Sequence, residues 1–371
     1  MDNDIKFFVG LDVHKDSTAV AVCEPGREIS RFVGSVGPDL QQVLKVLHRY
    51  GSAGQVSVVY EAGPTGYGLQ RALSELGYRC EIVAPSLIPR RAGERIKTDR
   101  RDCARLAELS RAGELKAIWV PDAAHEAIRN LWRAREDAVQ ARLKARQQLK
   151  AFLLRENRCY VGKTSWTKMH QRWIADQCVE QPADQITLAE YQLAVQASEE
   201  RVQRLTTALE QSVLGWQFEP IVAALRALRG IDTVSAIGLV CEMGDINRFG
   251  TARQLMGYLG LVPSEHSSGN TVRRGSITKT GNAHARRLLT EAAWNYRFPA
   301  RMSKVLQARS KDLSPEIRNH AWKAQLRLCS RFSALSRRGV QANKVCVAVA
   351  RELAGFIWAI ARQTTPAGRG R

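Results

Sequence analysis

Lys6-Phe7-Phe8-Val9-Gly10-Leu11-Asp12-Val13-His14-Lys15 is a short apolar run that delivers one carboxylate, Asp12, near its end. A strand closing on Asp presents a hard oxygen ligand at its end, and any partners must come from elsewhere in the chain. Glu61 closes a second apolar run, Val56-Ser57-Val58-Val59-Tyr60, and Asp99 and Asp102 follow in Lys97-Thr98-Asp99-Arg100-Arg101-Asp102. Four acids on a positively charged chain point to phosphodiester chemistry, in which divalent cations neutralise the attacked phosphate.

Around the first run the apolar residues fall into three close stretches, Phe7 to Leu11, Ala19 to Cys23 and Ile29 to Val33, with Glu24-Pro25-Gly26 as a turn between the last two. This predicts an antiparallel meander. Leu40, Val43, Leu44, Val46 and Leu47 then recur at helical spacing, the run ending in Glu61 follows, Gly66 to Leu76 is helical again, and Cys80 to Ala84 is a strand stopped by Pro85. Three strands, helix, strand, helix, strand, helix is the order of the ribonuclease-H-like nuclease fold. In that order Asp12 and Glu61 come to one end of the sheet. Asp99 and Asp102, three apart on a helix capped by Thr98, face the same way, and acids in a first turn suit the helix dipole.

Each of these residues also has a plainer reading. Asp12 alone fits strand-end capping, Asp99 with Asp102 fits a solvated helix start, and His14 reads as a surface residue. The four acids in this element order are what favour a metal site.

From about Asp122 the sequence becomes long, charged and free of Gly and Pro. Ile128, Leu131, Trp132, Ala138, Val139, Leu149, Phe152 and Leu153 form a broken apolar stripe, and Leu188 to Val213 repeats it. Two such helices pair, with the aromatic and basic segment 158–184 as a tip or cap; the hairpin is a spacer, a dimer arm or a nucleic-acid clamp. A third region opens near Pro220 with a helix, a turn at Gly230-Ile231-Asp232-Thr233 and a second helix. It continues through Gly260-Leu261-Val262-Pro263 into the polar stretch 264–271, and then becomes helical and strongly basic.

The 371 residues carry 56 Lys and Arg against 36 Asp and Glu, a formal net charge of +20, and from Glu265 onward 21 basic residues face 5 acidic ones. Such a field suits a polyanion. No apolar run approaches the roughly 20 residues that span a bilayer, and the acidic start Met1-Asp2-Asn3-Asp4 is unlike a signal peptide, so a cytosolic protein without a membrane partner is expected. The eight cysteines are scattered without zinc-site spacing and are expected to be reduced thiols.

In the polar loop Ser268 sits beside Gly269, flanked by His266, Arg273, Arg274 and Lys279, with cations to neutralise a phosphate. Most loop serines make turns, and Ser267 and Ser264 compete for any nucleophilic role. Arg273, Arg274, Lys279, Arg286 and Arg287 are expected to form a basic nucleic-acid-binding surface. Trp294, Tyr296, Phe298 and Trp322 interleave with the cations and are either core residues or faces on which bases stack.

Gly10-Leu11-Asp12-Val13-His14-Lys15, Glu61-Ala62-Gly63-Pro64-Thr65-Gly66, Lys97 to Asp102, the Gly230 turn and the stretch from Gly260 to Gly269 together resemble the DEDD transposases of bacterial insertion sequences. The resemblance runs over nearly the whole chain, with the motifs in the family's order. It implies α/β plus α architecture: a RuvC-like nuclease domain over 1–121, a helical hairpin or coiled coil over 122–217, a C-terminal transposase domain with a basic extension over 218–362, and a disordered tail over 363–371. It implies a DNA recombinase in which Asp12, Glu61, Asp99 and Asp102 bind magnesium, or manganese, and Ser268 attacks the DNA phosphate to leave a phosphoserine link. Donor and target duplex DNA, a noncoding guide (bridge) RNA, dimers or tetramers, and a bacterial cytoplasmic, nucleoid-associated location are implied with it. The longer, more basic extension after about Ser314 departs from the family pattern and leaves the subgroup open. A junction-resolving nuclease, in which water attacks and Ser268 only positions DNA, is the alternative.

Overall fold

The computed structural model describes residues 5–89, 98–269 and 271–364. It divides into two compact units, Met1–Val120 and Pro121–Arg371. Of the tail expected to be disordered over 363–371, Gln363 and Thr364 belong to the last helix, Ala342–Thr364, and the rest lies outside the described residues.

The first unit is built on a five-stranded sheet. In chain order it comprises β1 (Phe7–Val13), β2 (Thr18–Cys23), β3 (Arg31–Val36), α1 (Leu40–Leu47), β4 (Val56–Glu61), α2 (Gly68–Glu75), β5 (Arg79–Val83) and α3 (Asp99–Arg111). The strands lie in the order β3-β2-β1-β4-β5, antiparallel among the first three and parallel from β1 through β4 to β5. This is the topology expected from the element order. Strand alternation sorts the side chains into two layers. Val9, Leu11, Val20, Val22, Val58, Tyr60 and Ile82 pack under α1 and α2 through Val43, Leu47 and Leu73. Ala19 and Ala21 meet Cys103, and Val59 and Val83 meet Leu106, under α3 on the other face.

The third strand starts later than its apolar residues predict. Ile29 is 89% exposed, and β2 takes up pairing only from Arg31. Residues 28–30 are instead held by α3: Arg111 donates to the carbonyls of Glu24 (3.2 Å) and Glu28 (2.6 Å), and Glu108 accepts from the Ser30 backbone and hydroxyl.

The second unit is helical except for one small hairpin: α4 (Ala123–Arg155), α5 (Lys168–Ala175), α6 (Pro182–Ser212), α7 (Glu219–Leu225), α8 (Thr233–Met243), α9 (Ala252–Tyr258), β6 (Pro263–Glu265), β7 (Arg274–Ile277), α10 (Ala283–Ala293), α11 (Lys304–Ser310), α12 (Pro315–Arg337) and α13 (Ala342–Thr364). α4 and α6 run antiparallel, since Arg135 meets Thr206 while Arg146, further along, meets Glu199. At their far end Leu149, Phe152, Leu153, Leu188 and Val195 close with Ile174 and Val179 into a separate apolar cluster, so the segment containing α5 is a cap. At the near end Ile128, Trp132, Leu209 and Val213 belong to the same core as α7 to α10, α12 and α13. The hairpin is thus rooted in the helical body, with the Trp132 indole donating to the Val234 carbonyl at 3.2 Å.

Candidate active site

Gly10 decides how close α3 comes to the sheet. A Cβ there would strike the Cys103 carbonyl and lie 2.6 Å from the Ala107 nitrogen, so only glycine lets the helix backbone rest on β1. Two residues on, Asp12 points to the same side. Thr98 caps α3, its hydroxyl accepting from the Arg101 amide, which puts Asp99 and Asp102 in the first turn beside the end of β1.

His14 completes the arrangement. Its backbone amide donates to the Ser17 carbonyl at 2.8 Å, making the turn into β2. Its Nε2 lies 3.3 Å from Asp12 Oδ2 and 3.7 Å from Asp99 Oδ1. One ligand atom from each of Asp12, His14 and Asp99 falls within 4.8 Å of the others. Burial pushes the Asp12 carboxyl above its usual range, the charges of Asp99 and Asp102 add to this, and His14 opposes it. A carboxylate raised by burial and by like charges is one that a cation would relieve. The Asp12 side chain is 18% exposed and that of Asp99 63%, so the cluster opens to solvent on the α3 side. Two carboxylates and an imidazole make a donor set that fits a divalent ion.

Glu61 and Asp102 stand outside that tight group among the described residues. Glu61 is nevertheless next in line: β1 and β4 are parallel with Leu11 opposite Tyr60, and alternation from Val59 turns Glu61 to the α3 face. Asp102 is near enough for its charge to raise Asp12. The acids at 12, 61, 99 and 102 therefore share one face and one end of the sheet. His14 is exposed, as the sequence leads one to expect, with 53% of its side chain open to solvent; its place beside the two carboxylates is what the sequence does not show.

In the second unit, Ser268 lies in the turn of the β6–β7 hairpin. It exchanges both backbone hydrogen bonds with Thr271 at 3.1 Å, and Gly269 takes φ 55°. The three loop serines differ in their surroundings. Ser267 Oγ donates to Glu265 Oε1 at 2.8 Å and accepts from the Arg273 amide at 3.3 Å, while Ser264 Oγ covers Gly275. Ser268 is exposed, and its hydroxyl has no partner among the described residues.

Of the five basic residues, Arg273, Arg274 and Lys279 are exposed, with Glu265 lying 3.5 Å from Arg274. Arg286 and Arg287 turn inward. Arg286 donates to the carbonyls of Leu259 (2.9 Å) and Thr280 (3.0 Å), and Arg287 pairs with Glu136 of α4 and Glu291. Both are thus tied into the fold, with Arg287 keeping 39% of its side chain exposed.

The hairpin is anchored by close backbone packing. A Cβ on Gly260 would sit 2.6 Å from the Thr280 nitrogen, and one on Gly281 would strike the Tyr258 carbonyl. Beneath lies Glu242, a lone acid in the apolar run of α8 that sequence reasoning missed. Its side chain is 1% exposed, and it accepts from Arg133 at 2.8 and 2.9 Å and from Asn282, the α10 cap, at 2.5 Å. Tyr258 donates to its backbone carbonyl at 3.1 Å.

Comparison with known proteins gives the chain's family. Residues 9–157 match a family of DEDD transposases of IS110 type, and residues 222–307 match the family described as transposase IS116/IS110/IS902. The chain is 48% identical to "Putative transposase y4qE" of Sinorhizobium fredii over 96% of its own length and 88% of that protein. It is 30% identical to the transposase for insertion sequence element IS1533 of Leptospira borgpetersenii over 89% and 96%. No helix of the described residues is long and apolar enough to cross a membrane.

Proposed function

Because the chain belongs to the IS110 family of DEDD insertion-sequence transposases, we propose that it cuts and rejoins DNA by phosphoryl transfer, with an acid and imidazole cluster and a serine in separate parts. The observation that carries this reading is the convergence of Asp12, His14 and Asp99 within 4.8 Å, with Glu61 and Asp102 on the same face. These residues would hold a divalent cation, magnesium or manganese, which when bound supplies charge neutralisation to the DNA phosphate.

Ser268 is the nucleophile. Its exposed, unengaged hydroxyl attacks phosphorus, the phosphodiester bond to the leaving strand breaks, and that strand departs with a free hydroxyl while the phosphate stays esterified to serine. The ester keeps the bond energy, so a second strand can attack it and rejoin without an external energy source. Arg273, Arg274 and Lys279 supply phosphate contacts beside the turn. Arg286 and Arg287 support this surface from within. The surplus of 21 basic over 5 acidic residues from Glu265 onward supports a nucleic-acid partner larger than one duplex segment, including a noncoding guide RNA, and the antiparallel α4–α6 hairpin is suited to joining protomers into dimers or tetramers.

Incubation with a supercoiled plasmid carrying the element's ends tests this. Divalent-ion-dependent cleavage with protein attached to DNA after denaturation is expected. Cleavage with only free ends would favour water as the nucleophile, and cleavage by folded Asp12→Asn at the wild-type rate would remove the acid cluster from the reaction.

A further inference from the structure

Of the four aromatics that interleave with the cations of the basic region, two are accounted for by packing. Tyr296 is fully buried and Trp294 packs on Phe332, whereas Phe298 is 49% exposed with the neighbouring Arg297 guanidinium over its ring and lines no cavity among the described residues. Trp322 is different. It is half-buried on α12 and forms one wall of a cavity of about 260 Å³ between α11, α12 and the end of α7.

The cavity is small for a drug-sized ligand, for which pockets run from roughly 300 Å³ upward, and it has room for one planar ring. Leu306 and Ala321 give it an apolar floor. Gln325 is 3% exposed and lines the cavity with a carboxamide. Its nitrogen donates to the Arg301 carbonyl at 2.9 Å, and its oxygen has no partner among the described residues. A carbonyl oxygen in that position is open to accept an N–H from whatever fills the space. Lys311 and Arg318, both exposed, stand at the cavity and form no ion pair among the described residues, and no acidic residue lines it. An aromatic face, an amide acceptor and two unmatched cations are the parts of a site for a base with its flanking phosphates.

We propose that this cavity receives one unstacked base of a single-stranded nucleic acid, with Trp322 stacking on the ring, Gln325 accepting from its edge, and Lys311 and Arg318 holding the adjoining phosphates. The single strand is either DNA exposed during strand exchange or RNA; the chemistry is shared. The proposal rests on the reading of this chain as a nucleic-acid enzyme, but it concerns a place remote in sequence from both the acid cluster and Ser268. Duplex binding and cleavage report on that reading independently of Trp322.

The test uses the full chain, with short fluorescein-labelled single-stranded DNA, single-stranded RNA and duplex DNA read by anisotropy. Trp322→Ala should weaken binding of at least one single strand about tenfold, the scale of one base stack, while Trp322→Phe keeps it and duplex affinity stays unchanged in both. The strand that loses affinity names the source. With wild-type protein, photocrosslinking of an oligonucleotide containing 5-iodouracil should map to the α12 peptide that carries Trp322, a readout that does not depend on a variant folding. Wild-type single-strand affinity in folded Trp322→Ala, or crosslinks confined to other segments, would overturn the proposal. So would loss of self-association by Trp322→Ala with single-strand affinity intact, which would assign the cavity to a second copy of the chain.

Discussion

The Cys103 carbonyl occupies the space where a Cβ on Gly10 would stand, and this single contact sets the depth at which α3 carries Asp99 and Asp102 toward Asp12. Gly10→Ala must push the helix outward. Overpacking of this kind costs roughly 1–3 kcal/mol, and the displaced α3 should also bind divalent cation more weakly. Denaturant midpoints and calorimetric titration with Mn²⁺ check both effects. Unchanged stability and affinity would mean that α3 does not depend on this approach.

His14 lies within ion-pair distance of both Asp12 and Asp99. If its imidazole ligates the cation, His14→Ala should lower Mn²⁺ affinity by about tenfold or more, at least the loss seen when residues that merely orient ligands are removed. Titration of the folded variant measures this. Wild-type affinity would return His14 to the role of a turn residue.

Glu242 gives a pH dependence whose sign follows from its surroundings. Burial raises its carboxyl, but the Arg133 fork and the Asn282 amide outweigh burial and hold it below the usual carboxylate range. A group depressed in the folded state stabilises above its unfolded pKa of about 4.3, and that contribution is lost as pH falls through the lower folded value. Glu242→Ala should cost roughly 3 kcal/mol near neutrality, the low end for a broken buried pair, because Arg133 is 44% exposed and can be rehydrated. The gap in melting temperature between wild type and variant should narrow in acid. A gap that stayed constant or widened below pH 4 would contradict the assignment.

Ser267 and Ser268 should separate cleanly. Removing the Ser267 hydroxyl deletes one link between Glu265 and Arg273, worth about 1 kcal/mol, so Ser267→Ala should slow covalent DNA attachment by no more than about tenfold. Ser268→Ala should abolish it. Loss of attachment in Ser267→Ala alone would exchange the two roles.

What could be read from the sequence was local. The run to Asp12, the turn at Glu24-Pro25-Gly26 and the Thr98 cap depend on neighbours within a few residues, and the first-unit topology followed from their order. The start of β3 was not readable, because residues 28–30 are held by Arg111 and Glu108 some 80 positions away. Nor was the β6–β7 hairpin: its residues are mostly polar and exposed on both faces, so no alternation marks it. The charges of Arg286 and Arg287 were plain, but their direction was not, since Arg287 finds Glu136 across 151 positions. His14 gained its meaning only when α3 brought Asp99 beside it.

The most direct test is to map, by mass spectrometry, the residue that carries nucleotide after cleavage in divalent cation, using wild type, Asp12→Asn and Ser268→Ala in parallel. The account predicts a modified Ser268 peptide from wild type alone. A nucleotide on any other residue, or an adduct formed at full yield by folded Asp12→Asn, would contradict it.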